Sequence, residues 1–419
     1  MSRSRAWYGL AILTVINLLN YLDRYILAGV MKRMQDEFHL NDEQGGRLAT
    51  IFMVVYMFMS PLGGYLGDRM PRRVLIAIAV AIWSVATIGS GLAATFGLLM
   101  LARAFTGVGE AGYGTTAPSV ISDLFPPARR TRMLAVFYTA MPLGAAAGFV
   151  LGGAMAEHAS WRHAFYVGGI PGLVLALLAL STPEPERGAT DAEKPAKIPF
   201  AEGIKAIRGS ARFWYATAGL TLMTFSVGGL GFWMPKYLST MRGFSDTEAG
   251  LTLGATTVIG GFVGTILGGF AGDRLDKRFG GGGVALSAIG LLCAAPLMVY
   301  AAAVDSPWRV EILGLTVCPP VFFSLTFAQL FIFLNNGPLN AALVNSVSAP
   351  LRAFAFGIAM LVMHLLGDAA SPNLIGRISD AYDLAVAIKL NAIPVALGGL
   401  VLLFGLKHWR RGPSDVQPV

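Results

Sequence analysis

Residues 64–73 read Gly64-Tyr65-Leu66-Gly67-Asp68-Arg69-Met70-Pro71-Arg72-Arg73, and residues 269–278 read Gly269-Phe270-Ala271-Gly272-Asp273-Arg274-Leu275-Asp276-Lys277-Arg278. In both, a glycine precedes an acid, arginine follows at once, and two further cations close the segment. One basic loop is weak evidence of anything. Two at equivalent places mean that the chain is built from two related halves. Each decapeptide follows the second long apolar run of its half, so the acid sits at a helix end and the cations fill the tight loop behind it. Such a charge network can hold neighbouring helices in one conformation and release them in another. Asp68 with Arg69, Arg72 and Arg73, and Asp273 with Arg274, Lys277 and Arg278, are therefore expected to act as conformational latches.

The runs beside these loops have membrane length. Of 419 residues, 55% are hydrophobic and 13% charged, against about 25% charged in ordinary soluble domains. A spanning helix takes about 20 apolar residues. Twelve stretches qualify: 7–30, 45–67, 74–93, 97–121, 133–155, 164–181, 213–239, 247–271, 280–303, 309–333, 354–376 and 383–407. They are too long for strands and lack the period-two alternation of a membrane barrel. Helices satisfy their own backbone polar groups in lipid. The expected fold class is an all-α membrane protein, with twelve transmembrane helices in two six-helix pseudo-symmetric bundles. Arg3 and Arg5 stand ahead of the first run like the basic end of a signal peptide. No small-residue cleavage site follows, however, and Asp23 and Arg24 sit deep in the run, so it reads as a retained helix.

Charge sets the orientation. Arg69, Arg72, Arg73, Arg129, Arg130, Arg132, Lys194, Lys197, Lys205, Arg208, Arg274, Lys277, Arg278, Lys407, Arg410 and Arg411 fall on one side if the spans alternate. The first opposite loop, 36–43, is acidic. The positive-inside rule then places both termini in the cytoplasm. The net charge of +8 is a topology signal, and no nucleic-acid partner is called for. Cys293 and Cys318 fall inside spans without metal-ligand or paired spacing, so no metal is expected.

Residues 182–209 are the one long polar stretch, dividing the chain into a bundle at 1–181, a cytoplasmic linker at 182–211 and a second bundle at 212–419. Phe200, Ile204, Ile207 and Ala211 recur at helical spacing beside Lys205, Arg208 and Arg212, which suits a short helix lying on the membrane face; a merely solvated linker is the alternative.

Over its whole length the chain resembles a major facilitator superfamily transporter. The loop motif stands in both halves, although Pro71 and Asp276 occupy places where that family often has glycine. The resemblance implies parallel halves with the substrate between them near the bilayer midplane.

A charge at a helix centre costs about 2.5–3.5 kcal/mol on insertion scales, so each one needs a reason. Asn17, Asn20, Asp23 and Arg24 gather on the first span, Asn20 and Arg24 on one face. This face looks into protein or a water cavity, as a substrate and proton site or as a structural ion pair. Arg103 and Glu110 lie two turns apart on the fourth span. Between and after them, Gly107-Val108-Gly109-Glu110-Ala111-Gly112 is formally a dinucleotide fingerprint, but it lacks the strand and βαβ context. In a membrane helix such glycines let backbones approach. The stretch Arg103-xxx-Gly107-x-Gly109 resembles the superfamily's fourth-helix motif, whose arginine is linked to proton coupling. Asp23 and Glu110 are thus the candidate proton carriers, with Arg24 and Arg103 as movable counter-charges.

Gly144, Gly148 and Gly152, and Gly260, Gly264, Gly268 and Gly272, form four-residue ladders, expected to make a mobile seam between the halves. Phe149 stands where the superfamily's antiporter motif, which this run resembles, has proline. His364 and Asp368 lie four apart and can meet, as a titrating pair or as a packed, hydrogen-bonded histidine. Asn335, Asn336, Asn340 and Asn345 surround Gly337 and Pro338 at the end of span ten. Phe232, Trp233 and Tyr237 are either packing residues or part of a lipid path.

Several segments resemble the Spinster branch in particular. They are Asn20-Tyr-Leu-Asp23-Arg24, Arg103-Ala-Phe-Thr-Gly-Val-Gly-Glu110-Ala, Leu134-Ala-Val-Phe-Tyr138 and His364-Leu-Leu-Gly-Asp368-Ala-Ala-Ser-Pro372. The resemblance implies secondary active transport by alternating access, driven by a proton gradient without other cofactor. The substrate would be small and amphipathic, lysophospholipid-like or sphingolipid-like, with Asn17, Asn20, Arg24, Arg103, Glu110, His364 and Asp368 at its site. A monomer in a bacterial inner membrane is expected. The alternatives are a multidrug or metabolite proton antiporter of the same fold, or a receptor on a transporter scaffold. No HExxH, GxSxG or Walker A pattern points to an enzyme or an ATP-driven pump.

Overall fold

The computed structural model describes residues 3–187, 200–312, 315–348 and 351–410. Seven helices cover the first half: α1 (Arg3–Phe38), α2 (Asp42–Gly67), α3 (Arg72–Leu92), α4 (Phe96–Leu124), α5 (Pro127–Tyr138), α6 (Ala140–His158) and α7 (Trp161–Leu180). After the linker come α8 (Phe200–Gly209), α9 (Ala211–Met241), α10 (Asp246–Arg278) and α11 (Gly282–Ala303). The strands β1 (Val310–Ile312) and β2 (Leu315–Val317) precede α12 (Pro319–Phe333), α13 (Asn336–Val344) and α14 (Arg352–Met363). A π-helical turn, His364–Asp368, leads into α15 (Ser371–Ala381), followed by α16 (Leu384–Leu390), α17 (Ala392–Gly405) and α18 (Lys407–Arg410). Each of the twelve stretches read from the sequence carries helix. Among the described residues, ten helices or helix pairs are long and apolar enough to cross a membrane; α4 and α9 are long enough but more polar.

Several interruptions have a common cause. Proline lacks an N–H and its ring crowds the carbonyl four residues back. Pro142, Pro372 and Pro394 lie four residues after the last residue of α5, the π turn and α16, and Pro338 four after Leu334, which caps α12. Five other prolines, Pro61, Pro118, Pro171, Pro235 and Pro296, sit inside unbroken helices, as membrane helices allow. Span ten differs from the expectation of a helix from residue 309. Val310 pairs antiparallel with Val317 and Ile312 with Leu315. β-Branched residues favour this pairing, and the prolines at 319 and 320 suit a helix start.

The chain forms two compact units: Met1–Lys194 with Gly231–Gly254, and Pro195–Leu230 with Ala255–Val419. In the first, Leu13 and Ile16 of α1 meet Ile76, Val80 and Trp83 of α3 and Tyr113 and Ile121 of α4 in one buried core. Backbones approach closely wherever the ladder glycines stand. A Cβ on Gly148 would meet the Leu22 carbonyl and lie 2.9 Å from Tyr25 Cβ, and one on Gly144 would lie 2.8 Å from Tyr21 Cβ. In the second unit, a Cβ on Gly260 would lie 2.6 Å from the Thr326 carbonyl, and Gly264 faces Leu330. The ladders therefore close on α1 and on α12 of their own units. The ladder glycines themselves thus pack on whichever backbone of their own half is nearest, while between the halves Gly250 of α10 faces the Phe149 carbonyl of α6 and Gly153 of α6 faces the Asp246 carbonyl. The helix expected in the linker is α8, with Ile207 buried and Gly203 against Phe354 of α14. Lys194 and Lys197 lie outside the described residues.

Candidate functional site

Two glycines of α4 build the site in the first unit. A Cβ at Gly107 would lie 2.5 Å from the Phe52 carbonyl of α2, and one at Gly109 2.5 Å from the Ala79 carbonyl of α3. Their bare backbones let α2 and α3 close on α4. Arg103, one turn before Gly107, and Glu110, directly after Gly109, are thereby sealed among the three helices, 2% and 1% exposed.

Across this junction Arg24 of α1 donates through Nε to Glu110 Oε2 at 2.6 Å. The same guanidinium stands 5.0, 5.2 and 4.9 Å from the ring centres of Tyr21, Phe52 and Tyr56. Arg103 lies 4.9 Å from the Phe52 ring centre, so this one phenyl group takes both cations. Arginine's flat, weakly hydrated cation suits such stacking. Asp23 turns away from its neighbour Arg24 and accepts a 2.5 Å hydrogen bond from Thr87 Oγ1 of α3. The acid–arginine pair is therefore formed between helices one and four, not within each. Asn17 is spent on the backbone, donating to the Phe137 carbonyl of α5 at 3.1 Å.

Valences are left over. Asn20 Nδ2, Asp23 Oδ1, Glu110 Oε1, and Nε and Nη1 of Arg103 are buried with no hydrogen-bond partner among the described residues. Buried polar groups are ordinarily satisfied. This cluster holds both donors and acceptors in reserve.

In the second unit, His364 Nδ1 stands 3.0 Å from each carboxylate oxygen of Asp368. The π turn that places them is of a kind frequent at functional sites. Gly228 of α9 makes room for it, since a Cβ there would lie 2.9 Å from Asp368 Cβ. Asn335 and Asn340 donate to carbonyls of their own helix ends, and Asn336 donates to the Thr265 hydroxyl of α10 at 3.2 Å. Phe232, Trp233 and Tyr237 are buried; Lys236 lies over Trp233, and Arg242 donates to the Tyr237 hydroxyl at 2.6 Å.

The first basic loop is held by residues the sequence did not single out. Arg72 pairs with Asp123 Oδ2 at 2.5 Å and Glu184 Oε1 at 3.3 Å, and donates to the Pro185 carbonyl. Arg187 donates to the carbonyls of Gly67 and Met70. Asp68 caps α2 through its backbone, and Arg69 stacks on Tyr65. Among the described residues neither Asp68 nor Asp273 forms an ion pair, nor do Arg73, Arg274, Lys277 and Arg278. Asp276, where the family pattern has glycine, accepts from the Gly283 N–H at the start of α11. A further set escaped the sequence reading. Asp42 accepts from Lys236 and from Gln35, and Arg33 pairs with Asp246 at 2.9 Å. No motif marks these residues; only the fold brings them together.

Residues 13–372 match the Major Facilitator Superfamily, the class to which this fold and its polar membrane helices correspond. The chain is 35% identical over 91% of its length to protein spinster homolog 3 of Danio rerio, covering 78% of that protein. It is 33% identical to the sphingosine-1-phosphate transporter SPNS2 of Xenopus tropicalis, over 94% of this chain and 80% of that one. Its fold matches a crystal structure of a bacterial homolog to the human lysosomal transporter Spinster, inward-facing and unoccupied. The TM-score is 0.87, with 24% identity, over 99% of this chain and 100% of that chain. The chain belongs to the Spinster family of major facilitator transporters.

Proposed function

We propose that this transporter moves a small amphipathic, lipid-like substrate with an anionic head group, coupled to protons. One observation carries the reading: the buried Arg24–Glu110 pair, set beside Arg103 and Asp23 with valences unspent. Guanidinium groups are good phosphate ligands. An anionic head that draws Arg24 or Arg103 toward itself removes a counter-charge from Glu110 or Asp23. A carboxylate left without its cation in an apolar setting tends to take up a proton. Substrate and proton occupancy are then linked, and the linkage is reciprocal. That one relative is a sphingosine-1-phosphate transporter supports this substrate class. The basic loops support cytoplasmic termini.

The test is uptake into proteoliposomes across a panel of lysophospholipids and sphingoid phosphates. Glu110→Gln and Asp23→Asn, made separately, should still exchange substrate across a membrane without a gradient. Each should fail to concentrate it under an imposed pH gradient. If both variants accumulate substrate as wild type does, these acids do not carry the proton.

A further inference from the structure

At one end of the first unit lies a recess of about 1180 Å³, outside the site described above. The starts of α1 and α3, the end of α4 with the start of α5, and the residues after α7 converge on it. Four arginines line it: Arg3, Arg5, Arg73 and Arg129. Among the described residues, none of their guanidinium groups has a hydrogen bond or ion pair. Three carboxylates also face it, those of Asp123, Glu184 and Glu186. Asp123 and Glu184 are already engaged by Arg72, which is buried behind the wall. With Arg72 included, five cations meet three acids, and the four lining arginines are exposed.

Two further features say what kind of anion fits. Trp7 and Tyr8, also on the wall, are 44% and 41% exposed. Tryptophan and tyrosine concentrate where membrane meets water. The rim residue Ser181, bonded to the Tyr8 hydroxyl at 2.7 Å, ends a stripe of α7. Ile170, Val174 and Leu177 on that stripe are 55%, 57% and 71% exposed. They recur at helical spacing along one face and lead from the membrane-facing surface to the recess. An apolar track that ends at a basic hollow, level with interfacial aromatics, matches a phospholipid: acyl chain on the track, phosphate in the hollow. Basic pockets of this kind recognise anionic lipid head groups.

We propose that this recess binds an anionic phospholipid of the adjoining leaflet and so braces the Arg72–Asp123–Glu184 network behind it. The full chain, purified in detergent, is titrated with phosphatidylglycerol or phosphatidylcholine, and bound lipid is counted by native mass spectrometry. Wild type should hold one phosphatidylglycerol more tightly than any phosphatidylcholine, and salt should weaken it. Arg5→Gln combined with Arg129→Gln should lose affinity for that molecule by about 30-fold, the value for two cations near an anionic surface. The double lysine variant at the same positions should keep most of it. Equal retention of the two lipids by wild type would overturn the proposal whether or not the variants fold. So would undiminished phosphatidylglycerol binding in a folded glutamine variant. Displacement by inorganic phosphate at millimolar concentration, with no preference for the lipid, would assign the hollow to a free anion instead.

Discussion

At the scale of single residues, the site depends on which partner each buried polar group takes. Thr87 illustrates it. Its hydroxyl is the donor to Asp23, and hydrogen bonds to charged groups contribute about 1.5–3 kcal/mol. Thr106, equally buried, spends its hydroxyl on the Ala102 carbonyl of its own helix. Thr87→Val should therefore lower the unfolding midpoint of the protein in lipid nanodiscs, while Thr106→Val should leave it nearly unchanged. Equal midpoints for the two variants would show that Asp23 does not depend on Thr87. The charged members of the site were legible in the sequence, because a charge in an apolar run demands an explanation. Their pairing was not. Asp23 and Arg24 are adjacent, yet helical geometry turns adjacent side chains about 100° apart, so each found its partner on another helix. Thr87 gave no signal at all, since threonine in a membrane helix usually bonds its own backbone.

Among the helices, hydropathy and the repeated loop carried most of the fold, since lipid leaves few alternatives to a helix of about 20 residues. Interruptions were less legible. Proline marks a break at four places and none at five others, because neighbouring helices can satisfy the freed carbonyl. Glycine spacing announced close packing but not its partner. The contacts now make that packing testable. At Gly148 any side chain must push α6 off α1, whereas a Cβ on Gly64 would have nothing within 4 Å. Overpacking costs about 1–3 kcal/mol in a well-packed core. Gly148→Leu should lower both thermal stability and transport, and Gly64→Ala should alter neither. A Gly148→Leu protein that melts and transports as wild type does would mean that α1 and α6 separate at no cost.

On the scale of the whole molecule, α9 and α10 are the elements to watch, because each belongs partly to one compact unit and partly to the other. Their shared end, residues 231–254, is fastened to the first unit by charge. Lys236 meets Asp42, Arg33 meets Asp246, and Glu157 accepts from the Thr247 N–H at 2.9 Å. Asp42 and Asp246 each sit in the first turn of a helix, where the helix dipole favours an acid. Alternating access requires some contacts of this kind to open and reform, and a charge clasp can do so without exposing apolar surface. Asp42→Asn with Asp246→Asn removes both ion pairs while keeping side-chain size. The positions of Asp36 and Thr240 are exposed and can carry spin labels once Cys293 and Cys318 are replaced by serine. Losing one tenfold factor per 1.4 kcal/mol, even a modest weakening of the clasp should move the distance distribution visibly. The neutralised protein should show a larger population of long distances than its parent, and substrate should change that population in both. If the two proteins give one identical short distance under all conditions, residues 231–254 are a fixed part of the first unit, and the opening must be sought elsewhere in the chain.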